Sequence, residues 1–141
     1  MKKQREFIVS MCMYLACATP VYAAEEESTP FLCAPGEPIQ CESDGQCTRV
    51  TIQSTRLPRF IRVDFAAQQL SGVAGEEKVV SAVKNRQQLN GMLILQGAEN
   101  GRGWSMTINE KSNEMTLTVA GDQVGFVVFG ACMRLDGEGK E

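Results

Sequence analysis

Apolar and polar side chains alternate through the second half of this chain. Trp104, Met106 and Ile108 alternate with Ser105 and Thr107, and Met115, Leu117 and Val119 alternate with Thr116 and Thr118. A period of two marks strands with one buried and one wet face. The polar hexapeptide 109–114 between them carries two asparagines, which tolerate positive φ, and predicts a hairpin loop. The runs 92–95 and 126–129 are continuously apolar and bounded by glycine, which predicts strands buried on both faces. Gly121-Asp122 marks the turn before the last of them. Four successive strands therefore run from Gly91 to Cys132.

The first half is less regular. Residues 31–38 hold Pro35 and Pro38 and follow Pro30, so an extended loop or edge segment is expected. Residues 48–52 alternate and read as a strand that Leu57-Pro58 breaks. Ile61, Val63 and Phe65 alternate with Arg62 and Asp64, a second strand that residues 66–70 can continue. Residues 72–77 form a turn region. Residues 78–89 read as a strand, with a short helix as the alternative, and Asn90-Gly91 is a two-residue hairpin signal. The sum is seven to eight strands in an all-β domain, a small antiparallel sandwich or barrel.

The N-terminus changes the picture of where this domain works. Lys2, Lys3 and Arg5 precede an apolar stretch over 7–18, which closes on Val21-Tyr22-Ala23. That is the pattern of a cleaved secretory signal peptide over 1–23, and it falls short of the roughly 20 apolar residues a permanent span needs. Leu15-Ala16-Cys17 loosely resembles a bacterial lipobox, with Tyr14 where Leu is usual, so a lipoprotein anchored at Cys17 is a minor alternative. The expected organisation is then signal peptide 1–23, flexible acidic leader 24–30, a single β domain 31–135 and a disordered tail 136–141. No transmembrane segment follows cleavage, and the location is periplasmic or secreted. Residues 1–23 carry Lys2, Lys3 and Arg5 against Glu6, so their removal takes the formal charge from −3 to −5. An acidic domain repels phosphate backbones, which argues against nucleic acid as a partner.

Cleavage after Ala23 keeps Cys33, Cys41, Cys47 and Cys132. Four cysteines in a small exported domain predict two disulfides with three pairings open. The favoured set is Cys41–Cys47, across an Asp44-Gly45 turn, with Cys33–Cys132. On the chain-entropy model a loop of about 100 residues is worth about 4.7 kcal/mol, against two or three for the short one. A four-cysteine zinc site needs paired short spacings such as C-x-x-C, and the chain has none.

The chain contains no histidine, which removes Ser-His-Asp and Cys-His catalysis and the commonest metal ligand. Gly101-Arg102-Gly103 lies between strands, the wrong place for a phosphate loop. The acidic runs 25–27 and 76–77 fall in the leader and a turn. Neither a cofactor nor a metal is implied, and the domain reads as non-enzymatic, with a carboxylate-dependent hydrolase as the remote alternative.

Two features suggest binding. Arg49, Arg56, Arg59 and Arg62 place four basic residues within fourteen positions that hold no acid. Arginine makes bidentate contacts with carboxylates and phosphates, so the cluster could hold an acidic partner or an anionic ligand. The plainer account is that these arginines cover strand faces and pair with acids such as Asp64. The second feature is the loop 97–103, three glycines in seven residues, from which Arg102 would project. Trp104, in phase with Met106 and Ile108, reads as core.

The closing 125–132 segment, Gly-Phe-Val-Val-Phe-Gly-Ala-Cys, together with Leu95-Gln96-Gly97 and Gly101-Arg102-Gly103-Trp104, resembles small secreted proteins of proteobacteria of unknown function. The resemblance covers about 62–132, implies export and carries no catalytic residue over. The architecture is also similar to that of periplasmic lysozyme inhibitors of the membrane-bound lysozyme inhibitor family. Those carry a Ser-Gly-x-Gly-Ala-like loop ahead of an aromatic strand; residues 100–104 here read Asn-Gly-Arg-Gly-Trp and lack it. The reading that results is an exported binding module for an envelope protein or anionic ligand, presenting Arg102 and the Arg49–Arg62 cluster. An inhibitor of an envelope hydrolase such as lysozyme is the alternative.

Overall fold

The computed structural model describes residues 29–73 and 79–136. The signal peptide, most of the acidic leader, most of the 72–77 turn and the tail after Asp136 lie outside the described residues.

The described chain is all-β. In order it forms β1 (Phe31–Pro35), β2 (Ile39–Glu42), β3 (Cys47–Arg49), a helical turn α1 (Ile52–Thr55), β4 (Phe60–Asp64), β5 (Gln69–Val73), β6 (Val80–Ala82), β7 (Asn85–Leu89), β8 (Met92–Glu99), β9 (Arg102–Asn109), β10 (Glu114–Ala120) and β11 (Val124–Arg134). The class is as expected, but the strands number eleven among the described residues. Three segments account for the surplus. Residues 61–70 divide because the Asp64 carboxylate accepts a hydrogen bond from the Ala67 N–H and Gln68 takes a positive φ, which turns the chain. The segment expected as one strand over 78–89 divides, within its described residues 79–89, at Val83-Lys84 into β6 and β7, neither of them helical. Residues 31–35 are not an edge: β1 pairs β4 on one side and β11 on the other. Pro35 is tolerated there because the β4 pairing covers only Phe31 to Cys33, so on that side Pro35 stands at an unpaired edge where its missing N–H breaks no ladder bond.

The 48–52 strand is shorter than expected. β3 stops at Arg49, and Ile52 enters α1, where the Ser54 and Thr55 hydroxyls donate to the carbonyls of Thr51 and Ile52. Such local side-chain bonds compete with a ladder and favour a turn.

All the strands join one antiparallel sheet, in the order β6-β5-β4-β1-β11-β10-β9-β8-β7, with the β2–β3 ribbon paired to β11. β11 is the longest strand, and β1 and β2 share its outer edge in succession. The sheet curls into a half-barrel, and its two edge strands, β6 and β7, are consecutive in the chain. Where they meet, Val83 N–H donates to the Gln68 carbonyl and Lys84 N–H to the Gln96 carbonyl, both at 2.8 Å. The Arg86 guanidinium of β7 lies 4.3 Å from the centre of the Phe65 ring in the β4–β5 turn. These contacts draw the two edges together.

The core fills the concave face. Phe31, Cys33, Val63, Leu93, Leu95, Met106, Ile108, Met115 and Val128 are buried there. Fully burying an aliphatic side chain of this size is worth about 1.5–3 kcal/mol. The runs 92–95 and 126–129 are buried on one face only. Leu93, Leu95, Phe126 and Val128 point inward, while Phe129 is 58% exposed. Among the described residues the single curled sheet has no second layer over its convex face, and Phe129 is exposed there.

Cys33–Cys132 joins directly opposed residues of β1 and β11 inside the core, and Cys41–Cys47 closes the β2–β3 ribbon. Both favoured pairings are therefore present.

Candidate functional site

The loop expected at 97–103 is a tight hairpin. β8 runs to Glu99, β9 starts at Arg102, and only Asn100 and Gly101 turn, with φ of 50° and 76°. Two successive positive φ values make the turn whose twist matches paired strands, and Asn-Gly is its preferred dipeptide. Asn90-Gly91 repeats it with φ of 51° and 77° between β7 and β8. The hairpin carries Arg102 to the end of the half-barrel.

There the concave face opens into a cavity of about 350 Å³. The β4–β6 side supplies Ile61, Leu70 and Val79, the β9–β10 side supplies Trp104, Leu117 and Val119, and the segment after α1 supplies Leu57 and Pro58. The wall is apolar. Two of its polar side chains are engaged within the protein. Thr55 Oγ1 donates to the Ile52 carbonyl, and Trp104 Nε1–H donates to Ser81 Oγ at 2.8 Å in a buried bond. No buried side-chain nitrogen or oxygen among the described residues lacks a partner.

Trp104 is a core residue, as its phase implies, and is 9% exposed at the cavity wall. Its register partner on β8 is Gly97. A Cβ on Gly97 would fall inside the indole and against the Ala82 carbonyl oxygen. The missing side chain is what lets the ring lie flat on β8 while β6 closes in.

Two arginines, Arg56 and Arg102, are among the residues that line the cavity. Arg102 lays its stem across Gly121, where a Cβ would come within 2.9 Å of Arg102 Cγ, and its guanidinium carbon is 5.9 Å from the Phe126 ring centre. Arg56 comes from the C-cap of α1 with φ 60° and ψ 16°. That left-handed conformation costs a side chain about 1–2 kcal/mol, which is why glycine is usual at helix C-termini. Glu99 and Asn100 complete the rim.

The four-arginine cluster is dispersed. Arg49 is on the exposed β3 ribbon, 3.9 Å from Glu37. Arg62 alternates with Ile61 and Val63 and so faces away from the cavity. Arg59 is exposed just before β4. Only Arg56 joins Arg102. Sequence reasoning missed Glu99 and Ser81. The signal for Ser81 was a lone hydroxyl within the apolar run 79–83, in phase with the buried face.

The chain matches no family model, no curated protein and no solved structure.

Proposed function

We propose that this protein is a non-enzymatic exported binding module whose capture site is the open end of the half-barrel. The observation that carries the reading is the pairing of an apolar cavity with Arg56 and Arg102 at its mouth. Binding sites combine a concave, mostly apolar lining with a few convergent polar groups, and 350 Å³ lies within their usual size range. Export to an oxidising compartment is supported by the two disulfides together with the signal-like N-terminus. The remaining arginines of the 49–62 segment act as surface charges and stand outside the site.

Arg102 is exposed, and its removal leaves the core intact. Arg102→Ala is expected to weaken capture of the ligand or partner from envelope extract while shifting Tm by no more than a degree or two, as surface substitutions do. Parent and variant would serve as bait side by side, in their disulfide-bonded forms. Equal recovery of every bound species by both would remove Arg102 from the site.

A further inference from the structure

We infer that the cavity takes a small amphipathic anion, with an apolar body against Trp104 and Leu117 and a singly charged carboxylate or phosphodiester head held by Arg56 and Arg102. This rests on the binding-module reading and specifies its ligand.

The wall sets the nature of the buried part. The Thr55 hydroxyl already donates to the backbone, and the Trp104 N–H to Ser81 Oγ. A polar group pushed among Ile61, Leu70 and Leu117 would lose its water and find little to bond, which is costly. The occupant's buried part is therefore apolar.

The mouth sets the head. Neither Arg56 nor Arg102 forms an ion pair among the described residues, whereas Arg49 and Arg134 do. A guanidinium presents a planar fork of donors that matches a carboxylate or phosphate. Among the described residues, two arginines against Glu99 leave the lining with a surplus of one positive charge, which fits a monoanion better than a dianion.

Trp104 is the sole tryptophan, so its emission reports the cavity directly. The purified disulfide-bonded protein would be titrated with decanoate and with methyl decyl phosphate, each below its micelle concentration. Decyltrimethylammonium, octyl glucoside, acetate and inorganic phosphate are the controls. The expected result is a saturable change in emission at one ligand per chain with at least one of the two amphipathic anions. Comparing these two probes separates a fatty-acid source from a lipid-headgroup source. The cationic and neutral amphiphiles and the tail-less anions should bind at least about ten-fold more weakly, the scale of one charge-assisted hydrogen bond.

Arg102→Ala and Arg56→Gly should each weaken the bound anion by about ten-fold, and Arg56→Gly should do so with Tm unchanged or raised. Equal binding of the cationic amphiphile, or of acetate and phosphate, would overturn the inference, as would silence toward both amphipathic anions. If the anions fail while an envelope component is still captured in an Arg102-dependent way, the binding module stands and the ligand class falls. If Arg102-dependent capture fails as well, the binding-module reading falls too.

Discussion

At the residue scale, the Trp104–Ser81 bond is the contact with the clearest consequence. It joins β9, in the middle of one arm of the curl, to β6 at the opposite edge. Ser81 is only 8% exposed, so its loss would leave the indole N–H with neither partner nor water. Ser81→Ala is expected to destabilise the protein by about 1–3 kcal/mol, the usual cost of a buried donor left unsatisfied. Urea unfolding followed by circular dichroism measures this. A midpoint equal to the parent's would show that water reaches the indole nitrogen after all. The same bond orients the ring that forms the cavity wall, so the substitution should also broaden or shift the emission of Trp104.

At the scale of elements, β8 and β9 make one hairpin that builds both core and site. Its inward residues Leu93, Leu95, Met106 and Ile108 are buried in the core, and its tip delivers Glu99 and Arg102 to the rim. Gly97 is the point where that hairpin meets β6. Gly97→Ala would press a methyl group into the indole and the Ala82 carbonyl. Overpacking of this kind costs about 1–3 kcal/mol, and here it should also displace Trp104 from β8. A lower urea midpoint together with altered tryptophan emission is the expected pair of changes. A parent-like midpoint and spectrum would mean that β6 and the indole can move apart freely. Glycine's absent side chain matters here for close approach, since this position needs no positive φ.

At the scale of the molecule, the half-barrel is held by pairings between distant parts of the chain. β1 lies between β4 and β11, and Cys33–Cys132 locks that neighbourhood across a sequence separation of 99. The Cys41–Cys47 bridge spans only 6 and lies on a ribbon at the side of the sheet. On the chain-entropy model, removing the first as Cys33→Ala/Cys132→Ala should cost about 4–5 kcal/mol, against about 2 for Cys41→Ala/Cys47→Ala. Urea unfolding of the two double variants tests the order. The reverse ranking would mean that the ribbon, rather than the β1–β11 junction, holds the sheet together.

The local pattern by itself determined the all-β class, the β9–β10 hairpin and the inward phase of Trp104, and it favoured, among three open pairings of the cysteines, the one the structure shows. Each of these depends on neighbours in sequence, on period-two alternation or on loop closure. It also singled out Arg102. Tertiary structure alone decided that β1 is central, that residues 78–89 bend from one sheet edge to the other, and that the apolar run 126–129 leaves Phe129 outside. Those outcomes depend on how far the sheet curls, and the curl sums the twist of many strand pairs, which no short window of sequence encodes. The site follows the same division. Arg49, Arg56, Arg59 and Arg62 are close along the chain, yet strand alternation and the turn at α1 send them in different directions. Arg56 and Arg102, 46 positions apart in sequence, line one cavity because the curl of the sheet gathers both arms around it.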